Sequence, residues 1–357
     1  MKKRIVIIFT VILALTGLHI KAQDAMFSQY YANPLYLNPA FAGTNVCPRL
    51  AFHFRDQWPL IPGTFLTYTA SYDEHFDKIS GGVGVLLFGD RAGKEGIINT
   101  YTASVMYSFK VKVTRNFNMR FALQGTYEYR GLNWDALIFP DMIDPRYGVV
   151  YHTNEPTPDN LAIHSGDLAA GFLGYTPYIY FGLAVHHLIP IRTQSFTASS
   201  QGVYDYRPIK WTAHVGSYFD LKRKSKKEHS FGDISISPNL VYQHQQSFNF
   251  LSGGCYLNLY PFTIGLWLRG GMTDNIESFD SQGKPDKKIT SNLDALVVMF
   301  GLEYQWIKVA YSYDATVSKL AKYTGTGTGG SHEVSLQVLL PCPNKRKVIK
   351  DLNCPSF

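Results

Sequence analysis

One stretch of this chain alternates apolar and polar residues without a break for fourteen positions, "FNMRFALQGTYEYR" at residues 117–130. Its apolar positions are Phe117, Met119, Phe121, Leu123, Gly125, Tyr127 and Tyr129, and its polar positions include Asn118, Arg120, Gln124, Thr126, Glu128 and Arg130. Successive side chains of a β-strand point to opposite faces of the sheet, so this alternation predicts one long strand. Strands of soluble proteins usually have ~5 to 6 residues. A strand of this length, with aromatic residues near both ends of its apolar face, is typical of one that crosses a bilayer.

The same reading along the chain predicts an all-β fold of fourteen strands. The predicted strands are 47–55, 64–72, 81–88, 98–111, 117–130, 167–175, 178–187, 209–221, 234–244, 248–259, 262–271, 294–304, 307–313 and 332–341. The composition agrees, with 24 Tyr, 23 Phe and 30 Gly but only 17% charged residues. We therefore expect a transmembrane outer-membrane antiparallel β-barrel, in which an even number of strands places both chain termini on one side of the membrane.

Connection lengths give an independent test of this fold. The links Thr176-Pro177, Tyr260-Pro261 and Gln305-Trp306 are short, whereas Gly131 to Gly166 and Leu188 to Pro208 are long. Outer-membrane barrels have short periplasmic turns and longer outer loops. The alternation of short and long links therefore predicts periplasmic termini, a polarity that a soluble β-sandwich has no reason to show.

Two connections depart from the alternation. The link at 245–247 should be an outer loop but is very short, and the basic link after Leu221 should be periplasmic but is long. Either the strand count slips by one at this place, or the basic link has a function of its own.

The first 22 residues have the pattern of a secretory signal. Lys2, Lys3 and Arg4 precede an apolar run, and a small residue, Ala22, ends the region. The alternative is an uncleaved anchor, but the apolar run is shorter than the ~20 residues that a spanning helix needs. Removal of the four basic residues of the signal lowers the formal net charge from +7 to +3, which leaves no argument for a nucleic-acid partner. The predicted organisation is a signal peptide at 1–22, an extended N-terminal segment at 23–45, a barrel at 46–341 and a periplasmic tail at 342–357.

The segment after the signal, "QYYANPLYLNPAFAG" at 29–43, is rich in aromatic residues and is interrupted by two Asn-Pro pairs. Asn and Pro at a five-residue repeat favour an extended path with turns. Apolar area of this size stabilises a fold only when it is buried. We expect the segment to enter from the periplasmic side and to plug the lumen or bind a periplasmic partner, and the alternative is a cap on the periplasmic rim. The candidate residues are Phe27, Gln29, Tyr30, Tyr31, Asn33, Pro34, Tyr36, Asn38, Pro39 and Phe41.

The cysteines allow two pairings. Cys47 begins the first predicted strand and Cys342 follows the last, and these strands are neighbours in a closed barrel. A Cys47–Cys342 disulfide would join the closing strands, but a Cys342–Cys354 pair remains open, and the periplasm permits either. Cys255 lies within a strand, so we expect it to be unpaired.

Two basic clusters are predicted on the periplasmic side, where they could contact an acidic partner. A solvated charge run is the alternative. The clusters are Lys222, Arg223, Lys224, Lys226 and Lys227 in the long link, and Lys345, Arg346 and Lys347 in the tail.

No motif predicts catalysis, a cofactor or a metal. The "GTGTGG" stretch at 325–330 lacks the strand and helix that a phosphate-binding loop requires. His186 and His187 are adjacent on a predicted strand and point to opposite faces. Asp141, Asp144 and Asp159 fit no calcium-loop spacing, so a structural role in the long loop is favoured.

Six separated motifs resemble the PorP/SprF family. They are "FSQYYANPLYLNPAFAG", "RDQWP" at 55–59, "FPDMIDPRYG" at 139–148, "HHLIP" at 186–190, "YSYD" at 311–314 and "TGGSHEVSL" at 328–336. The resemblance spans essentially the whole mature chain. It implies an outer-membrane barrel of type IX protein secretion and, in some members, gliding motility. The partners implied are periplasmic ring or peptidoglycan-associated proteins, or an exported surface adhesin, besides the outer-membrane lipid.

We therefore predict a non-enzymatic scaffold that holds secretion components on its periplasmic face and an exported adhesin on its outer loops. The alternative is a pore for small or hydrophobic solutes, because a barrel of fourteen strands is wide enough either to need filling or to conduct.

Overall fold

The computed structural model describes residues 24–45, 47–61, 63–93, 96–158, 160–189, 192–194, 204–222, 232–246, 248–279, 285–318 and 327–342. The predicted signal peptide, Arg223 to Lys227, Lys345 to Lys347, Cys354 and Asp159 lie outside these ranges. No helix in the described part of the chain is both long and apolar enough to cross a membrane.

Fourteen antiparallel strands form a closed barrel, as predicted, and every predicted strand overlaps an observed one. The strands are β1 (Arg49–Gln57), β2 (Phe65–Phe76), β3 (Gly81–Ala92), β4 (Ile98–Lys112), β5 (Asn118–Leu132), β6 (Ala162–Tyr175), β7 (Ile179–His186), β8 (Lys210–Ser217, continued by Phe219–Lys222), β9 (Ile234–Gln245), β10 (Phe248–Leu259), β11 (Phe262–Phe279), β12 (Pro285–Tyr304), β13 (Ile307–Thr316) and β14 (Ser331–Leu339). The barrel closes where β1 pairs with β14, from Arg49 opposite Leu339 to Gln57 opposite Ser331.

The barrel has two distinct ends. At the turn end, β1 begins, β14 ends and short links such as Tyr260-Pro261 join neighbouring strands. The loop end carries the long 133–161 connection, which contains a small hairpin of Ile143–Asp144 and Gly148–Val149. There is no slipped strand at the two irregular links, because β9 and β10 pair directly through Gln245 opposite Phe248.

Strands β11 and β12 are longer than predicted. Their pairing continues past the predicted ends to Phe279 opposite Pro285. The added residues include many polar and charged side chains, so they lack the alternation on which the prediction depended. The register shifts between Arg269 and Gly270, which leaves Asp294 as an extra residue in β12. A bulge of this kind turns a side chain away from its regular direction.

The two faces of the barrel differ as the alternation predicts. In β1, Phe52 and Phe54 are each 46% exposed on the outer surface, whereas Arg49, His53 and Arg55 are buried inside. The outer surface is apolar, as a bilayer requires. The buried polar residues require partners inside the lumen, because unpaired buried charges are costly.

The N-terminal segment supplies the interior core but is less extended than predicted. Pro34–Leu37 forms a single α-helical turn, α1, and Pro39–Phe41 forms a 3-10 turn. Each proline occupies the first position of its turn, where its fixed φ favours the helix and its missing N–H costs nothing. Leu35, Ala40 and Phe41 are buried in the apolar cluster inside the barrel.

Candidate functional site: the N-terminal segment inside the barrel

Residues 24–45, which we call the plug segment, run through the lumen from the loop end to the turn end. Asp24 contacts Lys210, the first residue of β8, and Gln245, the last residue of β9, at the loop end. Gly43 contacts Asp73, close to the turn end of β2. Residue 43 lies at the end where β1 begins, whereas residue 24 lies at the opposite end. The expectation that both termini share one side therefore applies to the barrel strands and not to the start of the plug segment.

Asp24 anchors the loop end of the plug segment through charged partners. Its carboxylate lies 2.8 Å from His187 Nε2 and 2.9 Å from Arg207 Nη2, and its backbone N–H donates to Gln245. The other ring nitrogen of His187 lies 2.7 Å from Asp167. Burial alone would raise the pKa of Asp24, but the charges of Arg207, His187 and Lys210 outweigh it and hold the pKa well below its ordinary value.

The pKa of His187 shifts in the opposite direction. Burial alone would lower it, but the Asp24 carboxylate and the hydrogen bonds to Asp167 and Asp24 outweigh burial and raise the pKa. His187 therefore lies between two carboxylates, one on the plug segment and one on β6. This bridge links the anchor of the plug segment to the barrel wall.

Glu333 of β14 holds the next part of the plug segment. The backbone N–H of Ser28 donates to both carboxylate oxygens at 2.9 and 3.0 Å, and that of Gln29 donates at 3.2 Å. Arg55 and His53 of β1 lie 3.3 and 3.2 Å from the same carboxylate. Glu333 is fully buried, so all of its charge is compensated by groups inside the lumen.

Asp314 of β13 completes this cluster. Its carboxylate accepts a hydrogen bond from the Ser28 hydroxyl and pairs with Arg55 at 3.0 Å and Arg269 at 3.2 Å. Arg269 also pairs with the bulge residue Asp294 at 2.9 Å. Both arginines contact the Ser28 oxygen at 2.9 Å. One small residue of the plug segment thus joins charged side chains from four strands, and we call the set Ser28, Arg55, Arg269, Asp314 and Glu333 the lumen ion cluster.

Asn38 fixes the middle of the plug segment to β6 and β7. Its amide donates to the main-chain oxygens of Phe172 at 3.0 Å and Leu183 at 3.2 Å. This approach requires glycine on both strands: a Cβ at Gly171 would lie 2.3 Å from the Asn38 side-chain oxygen, and one at Gly182 would lie 2.9 Å from its nitrogen. The side-chain oxygen of Asn38 also caps the 3-10 turn.

Arg120 of β5 holds the turn end of the plug segment. Its guanidinium donates to the carbonyl oxygens of Ala42 at 2.9 Å and Gly43 at 2.6 Å. The N–H of Gly43 donates to Asp73 at 2.8 Å. Gly43 has a φ of +63°, and a Cβ at Gly82 would lie 2.3 Å from the Ala42 oxygen. Backbone packed this closely against a strand excludes larger residues at both positions.

The aromatic residues of the plug segment pack against the barrel wall. The Tyr30 hydroxyl lies 2.7 Å from the Ser252 hydroxyl, and the rings of Tyr31 and Tyr180 meet edge to face at 5.5 Å. Tyr36 stacks on Phe88 with 5.5 Å between ring centroids. All ten candidate residues of the plug segment lie inside the barrel; nine are buried and Tyr36 is half-buried.

The structure joins Cys47 to Cys342 in a disulfide beside the closing strands, one of the two pairings that the sequence left open. Cys255 is a free, half-buried cysteine, and Cys354 lies outside the described residues. Of the eight candidate basic residues, the structure describes only Lys222, which is exposed at the turn end.

The sequence analysis did not select the barrel residues that hold the plug segment. Their signal was present, because Arg55, Asp314 and Glu333 belong to three of the motifs that carried the family resemblance. These motifs lie far apart in the chain but meet at Ser28. Asking which motif residues occupy inward positions of the strands would have identified them.

Comparison with known proteins gives one family match. The family model described as type IX secretion system membrane protein PorP/SprF matches residues 19–338. Among curated proteins, none matches the chain.

Several solved structures are similar to this one. The CymD monoaromatic hydrocarbon channel is 11% identical, with a TM-score of 0.43 over 89% of this chain and 95% of its own. The Ralstonia pickettii toluene transporter TbuX is 10% identical, with a TM-score of 0.41 over 86% of this chain and 93% of its own. The Acinetobacter baumannii outer membrane protein Omp33 is 8% identical, with a TM-score of 0.40 over 84% of this chain and 100% of its own. At scores this low, none of these names bears on the activity of this chain.

Proposed function

Because the chain belongs to the PorP/SprF family of type IX secretion system membrane proteins, we propose that it is a plugged, non-enzymatic scaffold of that machinery. The barrel fold and the family support an outer-membrane location. In this proposal the barrel wall fixes the protein in the membrane, and its two ends hold other proteins of the secretion system.

One observation carries the scaffold proposal: the plug segment is bound on all sides of the lumen. Hydrogen bonds or ion pairs reach it from twelve of the fourteen strands in the described residues. A pore for solutes needs a continuous path, and a bound segment across the lumen opposes it. In an open, water-filled pore, the charged side chains that hold the segment would be solvated and would need no partner on the plug segment.

The orientation follows from the connections. We assign the loop end to the cell exterior and the turn end to the periplasm, because outer-membrane barrels have long outer loops and short periplasmic turns. Periplasmic ring or peptidoglycan-associated proteins would then bind at the turn end, where Lys222 begins a basic link that favours acidic partners. An exported adhesin would bind the outer loops. After cleavage of the signal, the plug segment would begin near the exterior and lead back to the periplasmic side.

The decisive experiment is a pull-down of the tagged mature barrel from native outer membranes in gentle detergent, with the bound proteins identified by mass spectrometry. Recovery of periplasmic ring or peptidoglycan-binding proteins assigns the barrel to the core machine. Recovery of one large surface protein makes it an anchor for that adhesin. A barrel that is recovered alone, and that conducts ions in planar bilayers, contradicts the scaffold and supports the pore.

A further inference from the structure

A row of aromatic residues crosses five neighbouring strands on the outside of the barrel, near its loop end. The cross-strand pairs run from Tyr68 of β2 to Gly89 of β3, then to Tyr101 of β4, Tyr129 of β5 and His164 of β6. Tyr127 and Arg91 lie two residues from members of this row, on the same face. We call this set the outer tyrosine patch: Tyr68, Arg91, Tyr101, Tyr127, Tyr129 and His164.

The glycine in the row leaves a space that the ring of Tyr68 occupies. A Cβ at Gly89 would lie 2.4 Å from the ring of Tyr68, so the ring lies across β3 in the space that the glycine leaves. The Tyr68 ring is thereby directed across Gly89 towards Tyr101, the next residue of the row. Arg91 lies two residues further along β3 on the same face, is exposed, and forms no ion pair with any of the described residues. A positive charge and two tyrosine side chains therefore lie on the outer face of three neighbouring strands.

The other half of the patch adds a flat surface and a further donor. Tyr101 and Tyr129 stack with 6.2 Å between ring centroids, and the ring of His164 lies 5.2 Å from that of Tyr129. The Tyr127 hydroxyl lies 2.6 Å from His164 Nδ1. When this hydroxyl donates, the neutral imidazole carries its proton on Nε2. His164 then offers an N–H donor to a molecule outside the barrel.

The patch combines one guanidinium, several donors and stacked aromatic faces on a surface that contacts the bilayer. Guanidinium groups bind phosphate oxygens with two parallel hydrogen bonds. Tyrosines at the membrane interface lie at the level of the lipid headgroups. We propose that the outer tyrosine patch binds the phosphorylated sugar headgroup of a glycolipid in the outer leaflet. This inference rests on the proposed orientation, in which the loop end faces the exterior.

The chain contains a second cluster of similar geometry that lacks the positive charge. On β13 and β14, the Tyr311 hydroxyl lies 2.7 Å from His332 Nδ1, and the ring of Tyr313 lies 5.2 Å from that of His332. The residue opposite His332 on β1 is Asp56, whose carboxylate repels a phosphate. This cluster is therefore a control for the aromatic and histidine contacts without the arginine.

The test is native mass spectrometry of the full mature barrel with a bisphosphorylated lipid A and with the same lipid after removal of its phosphates. The wild-type barrel should retain the phosphorylated lipid, and Arg91→Gln should lower the bound fraction about tenfold, the effect of losing a charge-assisted contact. Tyr127→Phe, which removes the hydroxyl that contacts His164 Nδ1, should weaken binding to a smaller extent, and the matched Tyr311→Phe should leave it unchanged. Heat-dependent mobility in gels checks that each variant folds.

Three results would overturn the proposal: equal retention by Arg91→Gln, equal loss in Tyr127→Phe and Tyr311→Phe, or equal retention of the lipid without phosphates. The last comparison uses only the wild-type protein, so it decides the question even where a variant does not fold. Labelling of the 133–161 loop on whole cells tests the orientation separately. Lipid binding without surface labelling would refute the orientation and leave the patch as a phosphate site.

Discussion

Replacement of Glu333 by Gln should detach residues 28 and 29 of the plug segment from the barrel wall, while the shape of the side chain at 333 stays almost unchanged. The carboxylate accepts two backbone N–H groups from the plug segment and pairs with Arg55 and His53. Glutamine keeps one acceptor oxygen but removes the charge that compensates Arg55. Breaking a buried ion pair costs about 3 to 5 kcal/mol. Because Arg55 also pairs with Asp314, we take the lower value, about 3 kcal/mol, which raises the undocked population roughly a hundredfold.

The assay is conductance of single barrels in planar bilayers, together with hydrogen exchange of the plug segment. The wild-type barrel should be silent, and Glu333→Gln should show openings and faster exchange at residues 28 and 29. The matched control is Glu303→Gln, because Glu303 forms a half-exposed pair with Lys308 at 3.1 Å, and exposed pairs contribute at most about 1 kcal/mol. A silent, fully protected Glu333→Gln barrel would refute the assignment of Glu333 as the residue that retains the segment, as would openings of equal frequency in the control.

Three further predictions concern the plug segment and the closing strands. Gly182→Ala should lower the free energy of unfolding by about 1 to 3 kcal/mol, because its Cβ would lie 2.3 Å from a buried histidine ring. The control Gly125→Ala should leave it unchanged, because a Cβ there meets nothing within 4 Å. Non-reducing peptide mapping should recover the disulfide of the closing strands, and Cys342→Ser should lower the free energy of unfolding by about 2 to 4 kcal/mol; a map with only free thiols would contradict this. Because the pKa of His187 is raised, its contribution to the stability of the folded barrel is complete below its ordinary pKa and is lost as the pH rises through the raised value. Because the pKa of Asp24 is lowered, its contribution to the same stability is complete above its ordinary pKa and is lost as the pH falls through the lowered value. The protection of the residue-24 amide against hydrogen exchange, relative to its intrinsic rate at each pH, should therefore be greatest between these two pKa values. Asp24→Asn should remove this maximum.

The strands could be predicted because alternation is a local property of the sequence. Each strand of β1 to β10 shows its two faces in consecutive residues, and the bilayer requires the outer face to be apolar along the whole span. The prediction failed where this requirement ends, in the added pairs between Thr273 and Phe279 of β11 and their partners in β12. There the residues are paired along the backbone, but their sequence does not alternate.

The partners inside the lumen could not be predicted in the same way. Ser28 and Glu333 are separated by 305 residues, and their contact depends on how the closed barrel places every strand. The burial of the plug segment was expected from its aromatic content, but its direction was not, because composition does not distinguish one end of the lumen from the other. The direction of the plug segment depends on charge. Asp24 pairs with Arg207 at the loop end, whereas the carbonyl groups of residues 42 and 43 accept hydrogen bonds from Arg120 at the turn end.

This direction couples the plug segment to the closing of the barrel. Residue 24 lies at the loop end and Cys47 lies at the turn end, so the whole segment occupies the lumen that β1 and β14 enclose. Asn38 and Gly43 fit against glycines of the wall with almost no free space, so the segment cannot be drawn through a closed and fully packed barrel. Without it, Arg55, Arg120 and the other buried charges would need water or other partners. The segment must therefore be in place before or while β1 pairs with β14, and the charges that hold it also favour closure around it.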